Sequence, residues 1–388
     1  MKIGVGFSRE READVALAEA YRKSLQRVSA TKADLIFVFY SYDYSLDQPA
    51  FSGSLRKVFR EVPHYGCSTW SAWSNQEVLE GETGMMVVSI KAPSFEIRPL
   101  RVHSLREKAE LWSAELSRQI DDSQKPPPES LLIFADSLNF TPGGGFAFLE
   151  RKFPKTQILG IGTSFSVPQC SLVCQGEVYL NALVGLAIYG KQPWVALLQS
   201  IKPELAEVQI NRMSENLIIE IDEKPAFYKL CEHLMSQDDL PMMSPDEFRK
   251  HMGNLYVVER SKEILSRPQT LGDPYKVISL LGSEMTTGMV AVAQTLDFSQ
   301  THLLGQKKVA YTDELAEMHL SELKSNLPKP SLILMLVNSA RNHDKERVVS
   351  DLSLVRKTFP DSAVVGVASH GEFLGGANQY AAIIMAFH

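Results

Sequence analysis

The stretch Leu35–Phe39 (LIFVF) decides the fold, because the pattern that it begins recurs twice further along the chain. After this apolar strand come a helical segment at Leu55–Phe59, then Pro63, then a second apolar strand that ends at Gly66–Thr69. The same features are found at Leu131–Phe134, Phe146–Phe153 and Gly160–Thr163 in copy two, and at Leu332–Leu336, Val348–Phe359 and Gly366–Ser369 in copy three. The copies close with further apolar strands at Met85–Ile90, Leu183–Ile188 and Ala382–Phe387. Positions that are apolar in every copy are expected to be packing positions.

An amphipathic helix precedes each copy, and a short extended segment precedes that helix. The helices are predicted at Ala13–Val28, Leu105–Ile120 and Thr312–Leu323, and the extended segments at Ile3–Phe7, Phe95–Val102 and Lys308–Tyr311. The unit is therefore strand, helix, strand, helix, strand, strand. Helices that alternate with apolar strands predict a mixed α/β (α+β) fold in which helices cover sheets.

The order of the copies predicts two domains. Copies one and two are contiguous, so residues 1–200 form a domain with an internal duplication of 1–92 and 93–190. Residues 201–388 form a second domain, with one copy plus two hairpins. The hairpins are predicted at Val208–Ile210 with Leu217–Ile221, and at Val277–Leu281 with Met289–Val292. Ser244–Glu247 has the capping serine, early proline and glutamate that are typical of a helix start.

Composition excludes several classes of protein. The chain of 388 residues is 44% hydrophobic and 22% charged, which is typical of a globular protein rather than a disordered one. Its net charge is -6 and it has no long lysine and arginine tract, so no nucleic-acid partner is expected. The chain begins as a strand, without a signal core or an apolar run long enough for a membrane helix. We therefore expect a cytoplasmic protein with no membrane partner.

The cysteines do not indicate catalysis or metal binding. Cys67 occupies the position of Ile161 and Val367 in the other copies, so it is predicted to be a buried core residue rather than a nucleophile. Cys170 and Cys174 lack a second pair of cysteines or histidines, so no metal site is predicted. The chain is expected not to be an enzyme.

Hydroxyl groups follow the second strand of every copy, at Thr69, Thr163 and Ser369. One interpretation is that they only cap turns. Copy three has a denser polar cluster, because its first strand ends at Asn338 and Arg341 and its second strand continues into His370 and Glu372. If these strands pair in parallel, their ends converge at the edge where open α/β sheets bind ligands. Arg341 is then expected to pair with a ligand carboxylate and Glu372 with an ammonium group. The alternative is a solvated salt bridge on the rim of a loop.

Two other groups of residues remain open as sites. The glycine-rich Thr141–Gly145 precedes a helix and has an anion-binding interpretation, although a plain loop explains it as well. His370, His64 and His319 are candidate haem ligands, but their spacing does not select any of them.

Several short motifs, in one order along the chain, resemble those of FIST proteins (F-box and intracellular signal transduction). They are Gly66–Thr69, Gly84–Val88, Gly176–Tyr179, Leu183–Leu186, Asn216–Ile221, Pro225–Phe227, Ser279–Gly282, Thr287–Val290 and Gly366–Glu372. The resemblance implies a FIST N-terminal domain over 1–200 and a FIST C-terminal domain over 201–388. The chain departs from the family in two places: Asn338 stands where a cysteine is common, and His370 where an aromatic residue is common.

The resemblance implies a non-enzymatic sensory protein that binds a small molecule such as an amino acid. It is expected to act in trans on a partner such as a histidine kinase or a cyclic-dinucleotide enzyme. Some bacterial members bind haem and sense nitric oxide for a histidine kinase, which is the second hypothesis. A protein-interaction scaffold without ligand is the third.

Overall fold

The apolar runs that open the three copies form strands that are buried along their whole length. The computed structural model describes residues 1–92, 96–107, 111–121, 125–140, 144–163, 170–190, 192–234, 255–260, 269–272, 275–284, 286–292, 296, 301–307, 309–339, 341, 345–374, 377–378 and 381–388. The three runs lie in the strands Leu35–Tyr40, Ser130–Ala135 and Leu332–Asn338. A strand that is covered on both faces needs apolar side chains at successive positions, which is why these runs do not alternate with polar residues.

The described residues form 25 strands and seven α-helices. The strands are β1 Lys2–Ser8, β2 Leu35–Tyr40, β3 His64–Ser68, β4 Ser71–Ser74, β5 Val78–Glu80, β6 Met85–Lys91, β7 Glu96–His103, β8 Ser130–Ala135, β9 Gln157–Thr163, β10 Leu172–Cys174, β11 Glu177–Tyr179, β12 Ala182–Tyr189, β13 Trp194–Leu198, β14 Ile201–Ser214, β15 Leu217–Ile221, β16 Lys224–Pro225, β17 Leu255–Arg260, β18 Thr270–Gly272, β19 Tyr275–Glu284, β20 Met289–Val292, β21 Thr301–Lys307, β22 Leu332–Asn338, β23 Ala363–Leu374, β24 Ala377–Asn378 and β25 Ala382–Phe387. The helices are α1 Ala13–Val28, α2 Gln48–Phe59, α3 Trp112–Asp121, α4 Gly145–Lys152, α5 Ala226–Leu234, α6 Val309–Asn326 and α7 Lys345–Thr358. A 3₁₀ turn covers Tyr42–Ser45. No helix in these described ranges combines the length and the apolarity that a bilayer crossing needs.

The strands assemble into three sheets, which confirms the mixed α+β class. A six-stranded sheet has the order β1-β6-β2-β3-β10-β11. A twelve-stranded sheet runs β18-β13-β25-β22-β23-β9-β8-β12-β7, with β4 and β24 paired to β23 and β5 paired to β4. An antiparallel seven-stranded sheet runs β14-β21-β17-β19-β20-β15-β16. In each copy the first strand pairs in parallel with the second strand and antiparallel with the closing strand.

The first two sheets share one hydrophobic core. Phe39 of the six-stranded sheet and Phe134 of the twelve-stranded sheet lie in this core, with ring centroids 6.2 Å apart, and Leu336 belongs to the same cluster. Helices α1 and α2 cover the outer face of the six-stranded sheet. Helices α3 and α4 cover one part of the twelve-stranded sheet, and α6 and α7 cover another. The described apolar faces of these two sheets are therefore covered by each other or by helices, as burial of apolar surface requires.

In each copy, the segment that follows the second strand pairs with a strand of another copy. The β4–β5 hairpin of copy one pairs with β23 of copy three. The end of β23 pairs with β9 of copy two, and the β10–β11 hairpin of copy two pairs with β3 of copy one. The exchange is cyclic, so the strand ends of all three copies are brought to one region of the molecule.

The predicted boundary near residue 200 falls in the link between β13 and β14. The twelve-stranded sheet takes strands from both sides of that link, because β9, β8 and β12 share it with β22, β23 and β25. The seven-stranded sheet lies wholly within residues 201–307 and has its own core with α5. The division into two domains at residue 200 stays a prediction from the sequence.

Two local predictions are wrong. The helix expected from Leu105 begins at Trp112, because residues 105–107 form a turn in which Leu105 and Arg106 donate backbone hydrogen bonds to Asn181. Residues 309–311 belong to α6 rather than to an extended segment. Both predicted hairpins are confirmed as β14–β15 and β19–β20. The predicted helix start at 244–247 lies outside the described residues, as do residues 93–95 and 308.

Gly366 is required where β4 docks on β23. A Cβ atom at Gly366 would lie 2.0 Å from Nε1 of Trp73, a ring that is 1% exposed. We expect Gly366→Ala to lower the free energy of unfolding by about 1–3 kcal/mol or more, since a buried indole has nowhere to move. Gly53→Ala in α2 is the matched control, because no atom lies within 4 Å of its Cβ position. That control should gain about 0.5–1 kcal/mol in urea unfolding, and equal stability of both variants would contradict the docking.

Candidate functional site

A buried carboxyl group marks the end of the β22–β23 pair. These strands are parallel, as predicted, and Asn338 lies opposite Ser369. The Ser369 hydroxyl donates a hydrogen bond to Oε1 of Glu372, and Nδ2 of Asn338 donates one to Oε2 at 3.2 Å. All three residues are 5% exposed or less, and Glu372 is fully buried. The predicted convergence of these three side chains is therefore present in the structure.

A β-bulge in β23 brings Glu372 back to Ser369. Ser369 pairs with Thr163 of β9, but the next regular pair joins Glu372 to Ile161, so two residues of β23 stand against one of β9. Gly371 in this bulge has a φ of 127°, a region of backbone conformation that glycine adopts far more readily than other residues. The bulge explains how side chains three positions apart meet on one face of a strand.

Burial controls the protonation of Glu372. Removal from water raises its pKa to about 8, and the hydrogen bonds from Ser369 and Asn338 and the charge of Arg341 only partly offset that effect. The carboxyl group therefore holds a proton at neutral pH in the protein as it stands. A cation that entered beside it would displace this proton.

The three hydroxyl groups that follow the second strands lie at this same end of the β22–β23 pair, where strands of the three copies meet and which we call the junction. Thr69 donates hydrogen bonds to the backbone carbonyl of Ala368 at 3.0 Å and to that of Ser71 at 2.8 Å. Thr163 faces Ser369 across the β9–β23 pair and is fully buried. The cyclic exchange of hairpins is what brings these residues together, since they come from three different copies.

Arg341 lies beside the junction, but its guanidinium group already donates hydrogen bonds to other residues of the protein. Nε and Nη2 donate to the two oxygens of Asp351 in α7 at 2.9 and 3.2 Å, and Nη1 donates to the Leu198 carbonyl at 3.1 Å and to the Ser200 hydroxyl. Arg341 is 1% exposed and Asp351 is 3% exposed. This is a buried bidentate ion pair, neither a solvated rim bridge nor a guanidinium with donors directed at a ligand. It ties the end of β22 to α7 and to the end of β13.

The model of the FIST N domain matches residues 34–224 of the chain. This is a FIST-domain protein. The matched range holds copies one and two with Thr69 and Thr163, and it ends before the Asn338–Glu372 cluster. The FIST domain is a sensory domain thought to bind small ligands in signal transduction. A C-terminal FIST domain stays a prediction.

Two curated relatives are distant in sequence, and their names state no activity. They are uncharacterized proteins of Mycobacterium tuberculosis, one from strain CDC 1551 and one from strain H37Rv. Each is 20% identical to this chain over 332 residues, which cover 85% of the chain and 83% of the relative.

The three histidines proposed as haem ligands in this FIST-domain protein lie apart. His370 is exposed in the bulge of β23, His64 is buried in β3, and His319 is buried in α6. His64 places Nδ1 2.7 Å from the Val62 carbonyl and packs its ring on Phe59, and burial lowers its pKa. Its contacts are those of a neutral core histidine. The described residues contain no group of three histidine, cysteine or acidic side chains that would hold a metal ion.

The cysteines and the glycine-rich segment also take structural positions. Cys67 is a fully buried core residue, as predicted, and burial raises its pKa. Cys170 donates a hydrogen bond to Oδ1 of Asp136, and burial is the main cause that raises its pKa to about 12. The thiolate that a nucleophile needs is therefore disfavoured at both positions. In the glycine-rich segment, residues 141–143 lie outside the described residues, and Gly144 precedes α4.

Asp136 is a residue of the junction that the sequence analysis missed. It is 3% exposed and accepts hydrogen bonds from the backbone N–H groups of Leu138 and Asn181 and from the side chains of Asn139 and Cys170. It directly follows Ala135, which pairs with Gly162, just as Asn338 directly follows Val337, which pairs with Ala368. Comparison of strand ends between copies two and three would have found it.

Proposed function

We propose that this FIST-domain protein is a non-enzymatic sensor that binds a small ligand at the junction of its three copies. The observation that supports this site is the convergence of Thr69, Thr163 and Ser369 on the Glu372–Asn338 pair. Hydrogen-bonding groups from distant parts of the chain meet there in a buried setting, where each polar contact counts more than in water. A ligand that interacts with all three copies would stabilise one arrangement of the three.

The ligand class follows from Glu372. A buried carboxyl group with a raised pKa favours a ligand that brings a positive charge, because an ammonium group replaces the proton and restores the ionised form. An amine such as an amino acid satisfies this requirement. Arg341 is committed to Asp351, so the ligand's acidic group is received by hydroxyl groups of the junction rather than by that guanidinium.

Signalling is proposed to use the bulge of β23. Ser369 and Glu372 are fully buried, so a ligand reaches them only when the β9–β23 contact opens. That contact joins copy two to copy three, and its opening changes how the two pack. The rearranged surface would be read in trans by a partner such as a histidine kinase or a cyclic-dinucleotide enzyme, in the cytoplasm.

A thermal-shift screen against amino acids, other amines and organic acids tests this proposal. An amine at 100 times its dissociation constant should stabilise the protein by about 2.7 kcal/mol, which is roughly 5–10 °C. Glu372→Gln should lose this shift, because a neutral amide cannot balance an ammonium charge. Glu317→Gln, an exposed site in α6, should keep it. The proposal would be contradicted if no compound selectively raised the melting temperature, or if the Glu372→Gln variant kept the same increase.

A further inference from the structure

A second candidate site lies on the surface of the two helices that cover the six-stranded sheet, between α1 and α2. We call it the α1–α2 groove. Its volume is about 670 Å³, and its floor is formed by Ala18, Tyr21, Leu25 and Val58. Leu17, Ala20 and Val28 of α1 are buried against the sheet. Tyr21, Leu25 and Val58 pack partly against the same core and are half-buried, whereas Ala18 and Val15 are exposed, so the groove has a half-buried apolar floor.

The rim of the groove is positively charged. Arg22, Lys57 and Arg60 line it and are exposed, and no carboxylate lines it. Among the described residues, none of these three forms a salt bridge, whereas Arg9, Arg56, Lys91 and Lys152 all do. These three cations surround the apolar floor on a chain whose net charge is -6, and the charge of Arg22 also acts on the carboxylate of Glu19, three residues earlier in α1.

Helix-end electrostatics explain only part of this charge. Lys57 lies in the last turn of α2, where the negative end of the helix dipole favours cations. Arg22 lies in the middle of α1, so the dipole does not account for it. Arg60 has a φ of 54° and a ψ of -122°, a conformation that is strained for any residue except glycine.

We propose that the α1–α2 groove docks an acidic amphipathic helix of a partner protein. The apolar side of that helix would cover Ala18, Tyr21, Leu25 and Val58, and its carboxylates would pair with the three rim cations. Apolar anchors at helical spacing in a groove are a common recognition mode, and complementary charge sets orientation and the association rate. The 16 residues of α1 span roughly 24 Å, enough for a partner helix of four turns. The proposal stands apart from ligand binding at the junction.

The concave shape favours a helix over a membrane surface. A flat bilayer contacts protruding apolar side chains, whereas here the apolar groups lie between two helices. The small side chain of Ala18 leaves room for close approach of another helix. An acidic helix therefore fits both the shape and the charge.

Fluorescence polarisation with a labelled 18-residue peptide tests the proposal. The peptide has leucines on one helical face and glutamates on the other, and its matched partner has lysines in place of glutamates. The full-length protein should bind the acidic peptide at least about tenfold more tightly than the basic one, with affinity falling as salt is added. Arg22→Glu with Lys57→Glu and Arg60→Glu should weaken binding by at least about tenfold. Arg151→Glu with Lys155→Glu, two exposed cations near α4, should leave it unchanged.

An uncharged substitution tests the contribution of the apolar floor to binding independently of the charged rim. Ala18→Tyr fills the groove at an exposed position and should also weaken the acidic peptide by at least about tenfold without lowering the melting temperature. Equal binding of both peptides, or an equal loss in the Arg151 and Lys155 control, would overturn the proposal. So would binding to vesicles with 30% phosphatidylserine that the triple variant loses, or a dimer that dissociates in that variant. Those two results would assign the groove to a membrane or to a second copy of the chain.

Discussion

Replacement of Arg341 by methionine should lower the free energy of unfolding by about 3–5 kcal/mol. The substitution leaves the carboxylate of Asp351 buried at 3% exposure without its bidentate partner, and it also removes donors from the Leu198 carbonyl and the Ser200 hydroxyl. A buried charge that has lost its partner costs far more than a lost surface bridge. Urea unfolding followed by circular dichroism measures the loss.

Two further variants assign that loss to the buried pair. Arg56→Met removes the same side chain from a salt bridge with Glu177 in which both partners are about half exposed, and it should cost less than about 1 kcal/mol. Arg341→Met with Asp351→Leu should recover part of the stability, because no unpaired charge remains. If Arg341 binds a ligand instead, Arg341→Met would abolish a ligand-induced shift in melting temperature while the free protein kept its stability. That outcome would contradict the structural role.

Arg341 illustrates which features of the fold and the site could be predicted from the sequence and which could not. The apolar runs at 35–39, 131–134 and 332–336 predicted buried strands, because a strand covered on both faces needs apolar residues in succession and these runs are too short for buried helices. They also predicted that the polar ends of β22 and β23 converge. They did not show whether Arg341 faces a ligand or the protein, because its partner Asp351 lies in a helix whose position depends on packing.

The contacts between the three copies could not be predicted from the sequence either. Thr69 donates a hydrogen bond to Ala368, which is 299 positions away, and no local pattern specifies that contact. It depends on the exchange of the β4–β5 hairpin to β23, where Gly366 admits Trp73. Asp136 is different, because it stands at the strand-end position of Asn338 and comparison of the copies would have been enough to find it, although the sequence analysis missed it. Long-range pairing rather than local propensity therefore limited the prediction of the site.

Substitution of Glu372 by glutamine should remove a pH dependence of stability that the native protein shows between about pH 4.5 and pH 8. Burial raises the pKa of this carboxyl group from 4.5 to about 8 in the folded protein. In that interval the folded state keeps a proton that the unfolded state has lost, so the stability of the native protein falls as the pH rises. Because one pKa unit corresponds to about 1.4 kcal/mol, the loss amounts to several kcal/mol at pH 8.

Glutamine resembles the protonated carboxyl group and does not ionise, so the variant should gain relative to the native protein as the pH rises. Urea unfolding at pH 5, 6, 7, 8 and 9 gives the difference in free energy of unfolding, which should be smallest at pH 5 and largest above pH 8. Glu317→Gln, an exposed carboxylate in α6, should follow the native curve throughout. Parallel curves for the native protein and Glu372→Gln would mean that Glu372 is ionised in the fold at neutral pH. The carboxylate would then need a cation beside it before any ligand arrives, and the proton would no longer account for the charge that an amine ligand replaces.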